Sequence, residues 1–347
     1  MDLKSYLAIC LILFLLSGIC TVQPSRNALQ STELGQVLVL PLSRQERNHS
    51  LGSYEVISHR FRYLLDTLDA NAKMKLYDDL LSRGYYTTRL WIGTPPQEFA
   101  LIVDTGSTIT YVPCSSCTQC GTHQDPWFKP ESSTTYKPVE CGPSCSFCDS
   151  DKHQCKYVRR YAEMSTSEGL LGTDLLSFGN FSTIEPERLV FGCETAESGD
   201  IHDQRADGIM GLGRGAYSIV DQLINSNAMT ASFSLCYGGM GQGGGAMVMG
   251  AIPNPPQMVF TKSDFRRSAY YNLELHQVIV AGTPLAVDPV VFDSKFGTVI
   301  DSGTTYAYFP DIAYKAFTQA LSQQVKLDRI DGPDSHYPDV CYGGAGT

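Results

Sequence analysis

The sequence predicts a mostly β fold made of two related halves, and three observations carry the prediction. The run Ala100-Leu-Ile-Val-Asp104-Thr-Gly-Ser-Thr108 returns as Gly297-Thr-Val-Ile-Asp301-Ser-Gly-Thr-Thr305. From Gly84 onward, short β-prone runs are separated by Gly, Pro and Ser/Thr clusters, and helical spacing is confined to stretches such as Ser218 to Asn225 and Ile312 to Val325. The chain has 347 residues, 43% of them hydrophobic, which is enough to bury about two domain cores. A single Asp-Thr-Gly is weak evidence, because Asp and Gly are ordinary turn residues. Two copies, each behind a buried-looking strand, imply a duplicated half-site. Two carboxylates brought close together cannot both ionise, so one stays protonated as an acid while the other activates water as a base.

Taken in order, residues 1–23 read as a secretory signal. Lys4 gives a positive start, Leu7 to Leu16 an apolar run, and Ser17-Gly-Ile-Cys20 a region suited to cleavage. An uncleaved anchor is the alternative. No later segment reaches the ~18 apolar residues of a membrane span, so none is expected in the mature chain. Residues 24–83 form a leader. Its later part, Tyr54 to Arg83, mixes apolar residues with Arg60, Arg62, Lys73, Lys75 and Arg83 in a pattern compatible with short helices. Both an inhibitory prosegment and a disordered leader without that role fit this composition. Asn48-His-Ser50 and Asn180-Phe-Ser182 are glycosylation sequons, the second in an expected hairpin turn.

Four motifs then appear in sequence. Gly84-Tyr-Tyr-Thr-Thr-Arg-Leu-Trp-Ile-Gly-Thr-Pro-Pro-Gln97 precedes the Asp104 motif, Tyr161-Ala-Glu-Met-Ser165 is followed by Gly169 and Gly172, and Asp207-Gly-Ile-Met-Gly-Leu-Gly213 comes later. Together they resemble the pepsin-like aspartic proteases, and among these the cysteine-rich, nucellin-like plant branch, from about Gly84 to the last residue. The resemblance implies a bilobal fold with an N-terminal β lobe over 84–238 and a C-terminal lobe over 239–347. It also implies an endopeptidase in which Asp104 and Asp301 share a proton and hold the attacking water. Tyr161 and Ser165 would belong to a flap that closes over substrate. Tyr111, where many relatives have Trp, would wall a pocket. Asp207 to Gly213 would be the apolar strand beside the first Asp loop. In such proteases a leader covers the cleft and a basic side chain neutralises the carboxylates.

Around the carboxylates, Gly106 and Gly303 permit close backbone approach, and Thr105 and Ser302 offer hydroxyls across the lobe boundary. Ser107 and Thr304 look like outer hydrogen-bond partners. Ordinary turn satisfaction is the alternative role for Thr105, Ser107 and Thr304. Only Ser302 to Thr347 follows the second Asp, without a second apolar strand ending in Gly, so the C-terminal lobe is expected to be incomplete and less stable.

Ten cysteines lie beyond the signal region. Cys114-x-x-Cys117-x-x-Cys120 with His123 has spacing that suits zinc. In an exported chain disulfides are the expected use of these thiols and no metal is expected. The spacing of Cys141, Cys145, Cys148 and Cys155 allows nested bridges, Cys141 to Cys155 outside Cys145 to Cys148. The family resemblance implies Cys114 with Cys193, and Cys117 with Cys120.

Other functions are excluded on specific grounds. A formal charge of −10 lacks the basic footprint of a nucleic-acid binder. Gly239-x-Gly241-x-x-Gly244 precedes a strand-like Ala246-Met-Val-Met-Gly250 rather than the helix that a dinucleotide site needs, and reads as a link between lobes. No cofactor is expected. The expected protein is a monomer that acts on peptide or protein substrates in the secretory pathway, outside the cell or in the vacuole. A non-catalytic homologue that binds peptides is the alternative, because the second half is short.

Overall fold

The structure, a computed structural model, describes residues 8–9, 71–78, 84–143, 145–238, 244–264, 266–332 and 340–343. The expected signal, apart from 8–9, most of the leader and the Asn48 sequon lie outside them. In chain order the strands are β1 (Ala8–Ile9), β2 (Ala72–Asp78), β3 (Tyr86–Ile92), β4 (Gln97–Asp104), β5 (Tyr111–Pro113), β6 (Lys137–Pro138), β7 (Phe147–Asp149), β8 (Gln154–Arg160), β9 (Thr166–Ser177), β10 (Glu187–Ser198), β11 (Ile209–Gly211), β12 (Phe233–Tyr237) and β13 (Gly245–Met249). There follow β14 (Asn272–Leu273), β15 (Ile279–Val280), β16 (Thr283–Pro284), β17 (Thr298–Val299), β18 (Ala307–Tyr308), β19 (Arg329–Ile330) and β20 (Cys341–Tyr342). Helices α1 (Ile219–Asn225) and α2 (Asp311–Gln324) fall in the two stretches with helical spacing.

Two compact units result, Gln45–Met258 and a second made of Val259–Thr347 with Met1–Arg44. The first holds a 12-stranded sheet in the order β12-β13-β2-β3-β4-β11-β5-β10-β9-β8-β7, with β6 on β9 and a further β3–β9 pairing. The β3–β9 contact folds the sheet back on itself. Its apolar faces enclose a core that includes Leu90, Ile92, Phe99, Leu101, Phe128 and Phe191. Strand β4 is buried from Phe99 onward, so its Phe-Ala-Leu-Ile-Val run is a central strand covered on both faces.

Two expectations are corrected here. The helical reading of the leader fails at Ala72–Asp78, which is a strand between β13 and β3. Ala72, Met74 and Leu76 are buried while Lys73, Lys75 and Tyr77 are more exposed, a period of two that belongs to a strand. The boundary expected at Gly239 also moves. Strand β13 pairs with β2 and β12 inside the first unit, so the division falls between Met258 and Val259. The Asn180 sequon lies, exposed, in the turn joining β9 to β10.

The second unit is built from two-stranded pairs, β1 with β18, β14 with β17, β15 with β16 and β19 with β20. Its described core is small: Tyr314 of α2 and Val340, with Phe309, Phe317 and Tyr342 against them.

Candidate active site

Asp104 ends β4 and is 4% exposed. Parallel pairing with β11 sets Gly211 opposite it, and the backbone N–H groups of Leu212 and Gly213 donate to the carbonyls of Asp104 at 2.8 Å and Ser107 at 2.7 Å. Gly211 has to be bare, since a Cβ there would lie 2.6 Å from the Ile109 backbone N and O. The Gly106 N–H donates to Asp104 Oδ1 at 2.8 Å, the turn that Asp-x-Gly favours. Thr105 and Ser107 are buried, and the Ser107 hydroxyl has no partner among the described residues. Asp207, known from sequence only as the start of a strand motif, secures the base of this loop. Its Oδ2 accepts from Ala100 N at 2.6 Å, and its Oδ1 from Gln124 N at 2.7 Å and Asp125 N at 3.0 Å.

The Tyr161 hairpin joins β8 to β9. Tyr161 N donates to Ser165 O at 2.9 Å, and Met164 N to Tyr161 O at 3.1 Å. The tip is open to solvent, with Met164 71% exposed. Tyr161 meets Tyr111 hydroxyl to hydroxyl at 3.1 Å. Burial, and next the nearby charge of Asp104, hold the Tyr161 hydroxyl well above its ordinary pKa, so it stays protonated as a hydrogen-bonding group. Burial does the same for Tyr111. Ser165 is fully buried, and its Oγ accepts from Ile201 N at 3.4 Å. It therefore secures the base of the hairpin.

Asp301 follows β17, in a turn of the same local form. Gly303 N donates to Asp301 Oδ1 at 2.8 Å and Thr304 Oγ1 to Asp301 Oδ2 at 2.6 Å. The surroundings differ. Asp301 and Ser302 are half-buried, Thr304 is exposed, and Ile300, just before the Asp, is 55% exposed.

The eight cysteines from Cys114 to Cys193 form four disulfides. Cys114–Cys193 and Cys117–Cys120 agree with the pairing implied by resemblance. The nested reading of the other four is corrected to Cys141–Cys148 and Cys145–Cys155. The turn closed by Cys145 N on Gly142 O sends the chain back along β7, and Cys145 rather than Cys141 then lies against buried Cys155. With all three committed to disulfides, Cys114, Cys117 and Cys120 offer no thiolate to a metal. Among the described residues no helix is long and apolar enough to cross a membrane.

Residues 86–251 match the family model described as xylanase inhibitor N-terminal, and residues 270–347 match xylanase inhibitor C-terminal. The chain is 32% identical over 279 residues to aspartic proteinase nepenthesin-1 of Nepenthes gracilis, covering 75% of this chain and 60% of that protein. It is 34% identical over 272 residues to aspartic proteinase 36 of Arabidopsis thaliana, covering 72% and 56%. The chain thus matches less than two thirds of the length of these relatives.

Proposed function

Because the chain belongs to the plant pepsin-like aspartic protease family, we propose that it is an aspartic endopeptidase in which Asp104 and Asp301 act as one dyad. The observation that carries this reading is the matched turn, in which each Asp Oδ1 accepts from the glycine N–H two residues on at 2.8 Å. At Asp301 the Thr304 hydroxyl also donates to Oδ2, at 2.6 Å, and because each carboxylate oxygen has two lone pairs these bonds are compatible with a shared proton and a bound water. The ionised carboxylate takes a proton from the water as its oxygen bonds to the peptide carbonyl carbon. The protonated carboxyl gives its proton to the carbonyl oxygen, and a neutral gem-diol forms. Collapse of the gem-diol moves a proton to the departing nitrogen and breaks the C–N bond. Tyr161 would cover the substrate, and Tyr111 would fix the Tyr161 hydroxyl.

On this reading the protein is made as a zymogen, exported to the vacuole or the cell exterior, glycosylated at Asn180 and monomeric. A second reading, a non-catalytic peptide-binding homologue, is favoured by the xylanase-inhibitor description of the matching models and by the half-exposed Asp301. Digestion of a denatured protein at acid pH, with and without a statine-containing peptide inhibitor, separates them. Inhibitor-sensitive cleavage supports the endopeptidase. Saturable inhibitor binding without cleavage supports the homologue.

A further inference from the structure

The Tyr161 hairpin is tied to the body of its unit by more than its own turn. Tyr111, which meets the Tyr161 hydroxyl, is fully buried and stacks on Tyr157 with ring centroids 5.7 Å apart. The Tyr157 ring lies over bare backbone at Gly192 of β10, where a Cβ would stand against that ring and 2.8 Å from the Cβ of Tyr111. Two residues along the same face of β10 is Glu194, fully buried. Glu194 Oε1 accepts from Ser167 Oγ at 2.5 Å, and Ser167 Oγ is 3.0 Å from the Tyr157 hydroxyl.

Serine has one hydrogen to give. When Glu194 is a carboxylate, that hydrogen points to Glu194 and the Tyr157 hydroxyl donates to Ser167. When Glu194 is protonated it can donate to Ser167, whose hydrogen then turns to Tyr157 and reverses the run. A buried carboxyl is costly to keep in a β core, where an apolar residue of like volume would pack without a partner. The bare strand at Gly192, the stacked rings and the Ser167 link make one connected path from this carboxyl to the hairpin.

We propose that Glu194 is a positioning residue for the hairpin, setting the orientation of Tyr161 through Ser167, Tyr157 and Tyr111, and changing that orientation when it gains or loses its proton. The linkage stands without the endopeptidase reading; only its consequence for catalysis rests on it. Glu194 is faced by Ser167 from β9, Tyr157 from β8, Tyr111 from β5, Glu197 further along β10, and Cys120, whose Sγ is 3.8 Å from Oε2. Glu197 Oε1 accepts from Gly121 N at 2.5 Å and lies 3.5 Å from His202 Nδ1. The charges of Asp104 and Arg159 act on Tyr161. Burial, and after it the charge of Glu197, push Glu194 up to about 8, so the change falls at a pH where folded protein can be studied.

The test is ring NMR of the full chain labelled with 13C-tyrosine, with the Tyr161 signal assigned by its loss in Tyr161→Phe. In the wild type that signal should step with a midpoint near pH 8. Glu194→Gln should remove the step and leave any shift that Asp104 causes. Ser167→Ala should also remove it with Glu194 intact, and Tyr157→Phe should remove it too, which decides the matter even if Glu194→Gln does not fold. A wild-type signal without the step, or a step that survives these variants, overturns the proposal. A purely structural Glu194 would change the melting temperature and leave no such step to lose. A wild-type protein that cleaves nothing would count against the endopeptidase reading and leave the outcome of the NMR test unaffected.

Discussion

Asp104 and Asp301 occupy the same Asp-x-Gly turn, with the same 2.8 Å bond from the glycine N–H, yet one is 4% exposed and the other half-buried. The turn is local: a carboxylate two residues before a glycine closes it unaided. Burial is not local. Around Asp104 it comes from β11, from residues 212–213, and from the Asp207 carboxylate that ties β4 to residues 124–125. Among the described residues β17 pairs with β14 alone, over two residues. A repeated motif therefore specifies a turn, while the rigidity a catalytic carboxylate needs is supplied by its neighbours.

The strongest way to break the comparison is to remove one carboxylate at a time. If the loops form one dyad, Asp104→Asn and Asp301→Asn should each cut acid cleavage by ~10²–10⁴-fold with the fold retained. Wild-type activity in either variant would separate the loops. Next in size, Cys114→Ser with Cys193→Ser should destabilise the first unit by about 2–5 kcal/mol in thermal denaturation. Peptide mapping without reduction should yield Cys141–Cys148 and Cys145–Cys155. Nested pairs would contradict the hairpin register.

A matched pair of substitutions one residue before each Asp sharpens the contrast. Val103 is 1% exposed and Ile300 is 55% exposed. Val103→Ala should cost about 2 kcal/mol through the cavity it leaves, and Ile300→Ala about 0.5 kcal/mol, both read by chemical denaturation. Similar losses would mean that the second loop is better covered than its exposure implies.

The smallest effect concerns pH. Folded Glu194 keeps its proton up to about pH 8, whereas an unfolded glutamate loses it near 4.5. Between those values the native state binds more protons, so its stability falls as pH rises. The contribution is fully present below about 4.5 and lost as pH passes through about 8. Hydrogen exchange in β9 and β10 should quicken across that window, and Glu194→Gln should flatten the change. The second unit, with no such carboxyl among its described residues, should not share it.

The β class and both Asp loops were legible because each carries a local signal, a turn pair or an apolar run, whereas the hairpin at Tyr161 and the strand at Ile209–Gly211 were expected from the resemblance of their motifs to the family's. The strand at Ala72–Asp78 was not read from the sequence although Ala-Lys-Met-Lys-Leu-Tyr alternates, because the surrounding mixture of apolar and basic residues shows no sustained alternation and is compatible with short helices. The pairing of Cys141, Cys145, Cys148 and Cys155 was not legible, because spacing does not reveal where a turn sends the chain. Glu194 was invisible for a related reason. A charged residue in Phe-Gly-Cys-Glu reads as solvent-facing, and only the packing of Tyr111 and Tyr157 over Gly192 shows that it points inward.

The place of β2 in the sheet has a consequence for biosynthesis. One neighbour, β3, leaves the ribosome soon after it, but the other, β13, is made only when the chain has grown to Met249. Until then the Ala72–Asp78 strand presents one row of unpaired backbone groups, with Met74 and Leu76 beside it, to whatever the nascent chain meets. A pairing so distant in sequence closes slowly. The newly made protein therefore passes through an interval in which a chaperone, or another strand of suitable pattern, can occupy the position that β13 will later fill.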